Sequence, residues 1–187
     1  YSAVPPAISL PEITELIRTV EQTGKIYMLG ETSYYYPCAF YCRHRFGQGD
    51  FGAVVYAEAE YYHDYSHGLY QVAQWRHGSE WEKYYGKPPL FYPTHSVSMV
   101  VSVTGAYPTH VCGMGVVDRH EDNLYAREDN VWKNPFSNET ILCRMSDGSM
   151  ARFNEFRRIG HPGTVGMRLY GTLASYEEQV SSLLWVS

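Results

Sequence analysis

Apolar and polar positions alternate in two different rhythms along this chain. Ile13, Leu16, Ile17 and Val20 recur at helical spacing, with Glu12, Glu15, Arg18 and Glu21 facing away from them. Ser9 ahead of Pro11 and Glu12 is a helix-start pattern, and Gly24 is placed to stop that helix. Val4–Ala7 reads as the end of a strand, and Lys25–Gly30 reads as a buried strand. Strand end, helix, strand is the closing piece of a parallel α/β unit.

Further on, Tyr34 to Phe46 reads as a second helix ended by Gly47 and Gly49. From Ala53 to Tyr62 the rhythm shortens to two: Val54, Tyr56, Glu58 and Glu60 oppose Val55, Ala57, Ala59 and Tyr61. That is a long strand with one apolar face. His63 to Pro89 is irregular and rich in His, Tyr, Trp and Gly, with a short helix around Ser79–Tyr85. Segments of that length without periodicity are more often functional than idle. Thr94–Thr104 returns to helical spacing through Val97, Val100 and Val101, and Gly105 ends it. Strand-like runs follow at Thr109–Val117, Thr140–Met145, Ser149–Arg157, Val165–Tyr170 and Ser175–Gln179, with Asp147-Gly148 as a hairpin turn. The pattern predicts an α+β fold: an open, mostly antiparallel sheet with helices on one face, preceded by a β-α-β remnant.

Composition narrows the classes. A chain of 187 residues suits one domain, or one domain plus a piece of another, and 44% hydrophobic against 19% charged is enough for a core. The net charge of −5, with 15 Lys+Arg against 20 Asp+Glu and no basic run, argues against nucleic acid. No apolar stretch reaches bilayer length, so no membrane partner is expected, and Tyr1–Pro6 carries no basic leader. Cys38, Cys42, Cys112 and Cys143 form no Cys-x-x-Cys pair, which fits reduced residues and a cytoplasmic location. Tyrosine is the outlier at 18 residues. It suits sheet packing and subunit contacts, and also clefts that hold polyols.

Certain segments, in order, resemble the glucose–fructose oxidoreductase / inositol dehydrogenase (Gfo/Idh/MocA) family, and here its C-terminal domain with the last piece of the Rossmann domain. They are Ala3-Val4-Pro5, Gly30-Glu31-Thr32-Ser33-Tyr34-Tyr35-Tyr36-Pro37, Gly49-Asp50-Phe51-Gly52-Ala53-Val54, and Pro93-Thr94-His95-Ser96-Val97-Ser98 with Gly105 beyond. The resemblance runs from the first residue to about Tyr176. It implies residues 1–32 as the end of a nucleotide-binding domain and residues 33–187 as a substrate-binding and oligomerisation domain. It also implies NAD or NADP in the full-length protein, with Val4 and Pro5 on the nicotinamide side, and a sugar, cyclitol or derivative as substrate. None of the Gly clusters follows a strand and opens a helix, so this chain alone is expected to bind no cofactor and to be inactive. Val4 stands where the family carries a catalytic Lys, and Phe91 and Ser98 replace two Asp residues flanking the family's His. Some relatives are NAD-dependent glycosidases, which stays open as an alternative.

His95 is the catalytic candidate. Oxidising a carbinol needs a base near neutral pKa, and a helix N-terminus favours the neutral imidazole. Its plain alternative is a helix-capping His. The dense polar-aromatic stretch Tyr61–His67 offers His63, Asp64 and His67 for substrate hydroxyls. A metal reading of these three is set aside for want of ligand spacing, and no metal is expected. Glu31 and Tyr34 sit on the rim after Gly30, and Arg157 can clamp a carboxylate or phosphate. A second class of function is a non-catalytic dimerisation domain, with tyrosines in the interface. In either class the expected assembly is a homodimer or higher homo-oligomer through the sheet face. A ligand-sized cleft converging on His95 and His63 favours the enzyme; an apolar sheet face without one favours the dimerisation module.

Overall fold

The two-residue rhythm from Ala53 to Tyr62 is the spine of the fold. The computed structural model describes residues 1–178 and the backbone of 183–186. In it, β1 (Val54–Tyr62) runs through the middle of a sheet ordered β2–β3–β4–β1–β5–β6–β7. The remaining strands are β2 (Pro108–Val117), β3 (Phe136–Met145), β4 (Met150–Phe156), β5 (Thr164–Gly171), β6 (Ser175–Glu178) and β7 (Leu183–Val186). Gln179, expected at the end of β6, lies outside the described residues. β1 pairs with β4 in parallel, and every other ladder among the described residues is antiparallel.

The period of two sorts the side chains. Ala57 and Ala59 of β1, Ala151 and Phe153 of β4, and Met167 and Leu169 of β5 are buried in one cluster with residues of two helices. These helices, α2 (Pro37–Gly47) and α5 (Thr94–Thr104), contribute Cys38, Cys42, Met99, Val100 and Val103. Each large side chain buried there contributes roughly 1.5–3 kcal/mol. α5 is apolar on most sides because it lies against both α2 and the sheet. Gly105 closes it at φ 71°, its N–H reaching Val101 O at 2.8 Å.

The opposite sheet face departs from the expected apolar patch. Its centre is a charge lattice: Arg152 Nη2 meets Glu58 at 2.9 Å, and Arg168 Nη1 meets Glu60 at 3.0 Å and Glu58 at 3.5 Å. Stacked pairs Tyr62–Phe156 and Tyr56–Tyr170 flank it. Ala57 and Ala59 of β1 face the helices instead.

The N-terminal piece is looser than the sequence suggests. α1 (Leu10–Thr23) forms as expected, its start capped by Ser9 and Glu12, yet none of its residues is fully buried. Lys25–Gly30 is not a buried strand: a single parallel bridge joins Leu29 to Ser2, and Ile26 is 97% exposed. A lone bridge with nothing layered over it cannot bury a strand. The second helix also starts late, because Pro37 takes its first position and residues 32–35 coil into a 3₁₀ turn. Within the irregular stretch lie α3 (Leu69–His77) and α4 (Trp81–Tyr84). α3 escapes a periodicity search because it buries only Leu69 and Ala73, while Trp75 is 83% exposed. With Tyr65, Leu124 and Tyr125, Leu69 forms a second small core. The four cysteines are free thiols, three of them buried.

Candidate functional site

That second core builds one wall of a cavity of about 340 Å³, within the range of small-molecule sites. Val4, Pro5, Ala7 and Ile8 from the chain's start contribute to its lining, as do the 69–92 segment and Arg157 from the end of β4. Tyr65, Tyr85, Tyr92 and Tyr125 supply aromatic surface. Arg76, Lys87, Arg157 and His77 also line it, and no Asp or Glu does.

Arg157 follows from the strand register. Ala151, Phe153, Glu155 and Arg157 alternate onto the buried side, which carries two opposite charges into the interior. Arg157 Nη2 donates to Glu155 Oε2 at 3.0 Å, and Ser96 Oγ of α5 donates to Oε1 at 2.6 Å. Glu155 is fully buried, and this burial pushes its carboxyl up to about 7 despite both donors. Arg157 Nη1 also reaches the carbonyls of Phe156 and Tyr61 at 3.2 and 3.4 Å. Its guanidinium is therefore largely committed, and it is a weaker clamp than its sequence position suggests.

Its planar face lies 4.8 Å from the centre of the Tyr61 ring, and Tyr61 connects the cavity wall to the histidines. His95, second residue of α5, meets that ring edge-on at 4.9 Å. His63 Nδ1 lies 2.7 Å from the Tyr61 hydroxyl. Burial and the nearby Arg157, Arg76 and His95 lower the His63 pKa, which keeps it neutral. His95 Nδ1 lies 2.6 Å from Glu31 Oε1. The Glu31 carboxylate also accepts the Ser33 N–H at 3.0 Å. Burial alone would raise the Glu31 pKa, but the His95 and Ser33 hydrogen bonds overcome it and hold it at about 2. An ionised Glu31 requires the proton on Nδ1, so Nε2 of a neutral His95 is free to accept one.

The candidates from sequence thus divide. Val4, Pro5 and Arg157 line the cavity; Glu31 and His95 pair; His63 joins them through Tyr61 and lines a shallower depression beside Thr164. His95 lines neither space and His63 lines only the shallower one, so the ligand-sized cavity does not converge on the two histidines as the enzyme reading expects. Tyr34 instead lies against Arg43, whose guanidinium is 3.8 Å from its ring centre. Asp64 is buried, and its carboxylate accepts from the amides of Ser66, Ile159 and Gly160 at 2.7, 2.6 and 3.0 Å. This fastens the strand-end turn, and His67 pairs with the same carboxylate. No group of three or more potential metal ligands occurs among the described residues. No described helix is long and apolar enough to cross a membrane.

Sequence reasoning missed Arg76, Lys87, Ser96 and Glu155. Two signals were available: cations interleaved with aromatics from Trp75 to Lys87, and a Glu on the apolar register of β4.

No family model matches the chain, and no curated protein matches its sequence. Solved structures do match. Scyllo-inositol dehydrogenase from Lactobacillus casei, with NAD(H) and scyllo-inositol bound, aligns at TM-score 0.70 and 15% identity, covering 97% of this chain and 48% of that one. Myo-inositol 2-dehydrogenase from Lactobacillus plantarum aligns at 0.70 and 16%, covering 97% and 48%. The WlbA dehydrogenase from Bordetella pertussis, in complex with NADH and UDP-GlcNAcA, aligns at 0.68 and 12%, covering 96% and 51%. These neighbours are Gfo/Idh/MocA-type dehydrogenases, and the chain has the fold of their C-terminal domain. It spans about half the length of each.

Proposed function

We propose that this chain is the substrate-binding and oligomerisation part of an NAD(P)-dependent oxidoreductase acting on a sugar, cyclitol or derivative. In this reading residues 1–32 end a nucleotide-binding domain and residues 33–187 hold the substrate. The observation that carries it is the cavity: ligand-sized, rich in tyrosine, and walled in part by Val4 and Pro5. These are the two residues the family resemblance sets on the nicotinamide side. The described residues offer no Gly-rich turn opening a helix to receive a pyrophosphate, so this reading does not ask them to hold the dinucleotide by themselves. We assign that task to a separate nucleotide-binding unit.

The part played by this chain is to bind the polyol and manage its proton. Tyr faces stack on the C–H side of the ring. We assign the hydroxyl proton to Nε2 of His95, and Glu31 stabilises the imidazolium that forms. Because His95 does not line the cavity, this role requires the reacting hydroxyl to extend past Arg157 toward Tyr61. Tyr61, touching both Arg157 and His95, ties that base to the cavity.

The test is turnover by the full-length protein, supplied with NAD and NADP and a panel of inositols, hexoses and their derivatives. Reduced nicotinamide should form, and His95→Ala should lower kcat by on the order of 10²–10⁴. A folded protein that reduces neither cofactor with any of them, or an alanine variant with unchanged turnover, overturns the assignment.

A further inference from the structure

We propose that the cavity takes a ring-bearing substrate with a carboxylate or phosphate group, and that Lys87, assisted by Arg76, holds that anion. The proposal rests on the cavity being the substrate site, as above, and adds the charge of what enters it.

The local charge runs against the rest of the chain. Acidic residues outnumber basic ones 20 to 15 overall, yet the cavity lining holds Arg76, Lys87 and Arg157 and no carboxylate. Arg157 is balanced from behind by Glu155. Lys87, half-buried, is not balanced, and Arg76, which is exposed, has no acidic partner either: among the described residues neither enters an ion pair. Some cations of this chain have acidic partners, as Arg45, Arg127, Arg152 and Arg168 do, and others bond carbonyls and hydroxyls, as Arg43 does. Lys87 differs from both in facing the cavity half-buried.

Lys87 is held where it is by aromatic rings. Its ammonium lies 4.9 Å from the centre of Trp132, 5.3 Å from Tyr92 and 5.5 Å from Phe91. Such faces position a cation without neutralising it. Burial and the positive charge of Arg76 and Arg157 lower the Lys87 pKa, so the site disfavours the charge it carries. An entering anion reverses that, because it pairs with Lys87 and relieves the mutual repulsion. A neutral polyol leaves the half-buried ammonium without a counter-charge. The surrounding Tyr rings suit the C–H face of a sugar or cyclitol that carries the anionic group. The Lys gives a point charge rather than a planar fork, which accommodates a carboxylate or a phosphate alike.

The test is binding to the full protein by calorimetry, with glucuronate, glucose 6-phosphate and glucose at low and high salt. At least one charged sugar should bind tenfold or more tightly than glucose, with the advantage shrinking as salt rises. Preference for glucuronate assigns a carboxylate, and preference for glucose 6-phosphate assigns a phosphate. Lys87→Met should reduce the charged ligand to the level of glucose, and Lys87→Arg should retain most of the preference. Equal binding of all three sugars by the wild type overturns the proposal, as does an undiminished preference in Lys87→Met. Turnover confined to neutral polyols would remove the anion and leave the oxidoreductase standing. Charged-sugar binding without any nicotinamide reduction would do the reverse.

Discussion

Nδ1 of His95 and Oε1 of Glu31 lie 2.6 Å apart although 64 positions separate them in the chain. The turn after Gly30 and the start of α5 meet to make this pair, and Glu31 has another fixed donor in the Ser33 amide. The carboxylate fixes which ring nitrogen carries the proton. Glu31→Gln keeps the size but offers either an oxygen or an NH₂ to that nitrogen, so the tautomer is no longer dictated. On the proposed oxidoreductase reading, it should lower kcat of the full-length protein while leaving KM for the polyol nearly unchanged, and by less than His95→Ala does. A rise in KM at constant kcat would instead mark Glu31 as a simple substrate contact.

The same pair gives a pH dependence with a definite sign. The Glu31 carboxyl ionises at about 2 in the folded chain against 4.5 for an ordinary Glu. Its contribution to stability is therefore complete above about 4.5 and is lost as pH falls toward 2. Urea midpoints taken down that range should fall less steeply for Glu31→Gln than for the wild type. Parallel curves would show that the pair does not persist in solution.

A contrasting dependence is expected at the buried Arg157–Glu155 pair. Removing either partner leaves a charge in the interior, typically at a cost of about 3–5 kcal/mol. Glu155 can escape by taking a proton, since burial has already raised its pKa to about 7; a guanidinium cannot. Arg157 lowers the Glu155 pKa, so without it the carboxyl protonates above that value. Arg157→Met should therefore recover stability, relative to wild type, between about pH 9 and about pH 6. Glu155→Met should show no such recovery. Chemical denaturation of both variants at the two pH values compares them directly. Equal pH behaviour would mean that the orphaned Glu155 stays ionised.

Much of the fold was legible because its signals are local. Val97, Val100 and Gly105 mark α5 at its observed bounds, and the alternation of β1 needs only period two. What escaped depends on distant partners. α3 carries too thin an apolar stripe to declare itself, and becomes a helix over Tyr65, Leu124 and Tyr125. Lys25–Gly30 has the residues of a buried strand but only one bridge and no cover. For the site, His95 and Glu31 were both visible as chemistry, but their contact was not. Asp64 looked like a ligand group because sequence shows the carboxylate and not the three amides that fill it. Lys87 was passed over for a related reason, since a missing counter-charge can be seen only once the neighbours are assembled.

The uncovered sheet face yields the last prediction. Glu58 and Glu60 of β1 stand between Arg152 of β4 and Arg168 of β5, in register across three strands. Stacked Tyr62–Phe156 and Tyr56–Tyr170 close the two ends of this lattice. The oligomerisation role proposed above puts a second copy over this face, with aromatic rims meeting around a charge-balanced centre. A stable contact of this kind usually buries about 1,200–2,000 Å² in total. Arg168→Glu would set a third carboxylate beside Glu58 and Glu60, and like charges brought together at an interface cost several kcal/mol. Wild-type protein should sediment as a dimer or larger species across a wide concentration range. The variant should shift to monomer, with a dissociation constant raised on the order of 10²-fold or more, and with unchanged circular dichroism. Raising the salt should weaken the wild-type assembly less than the substitution does, because screening does not add a repulsive charge. A wild-type monomer at every concentration would remove the sheet face as an interface, and an Arg168→Glu variant that still dimerises would move the contact elsewhere.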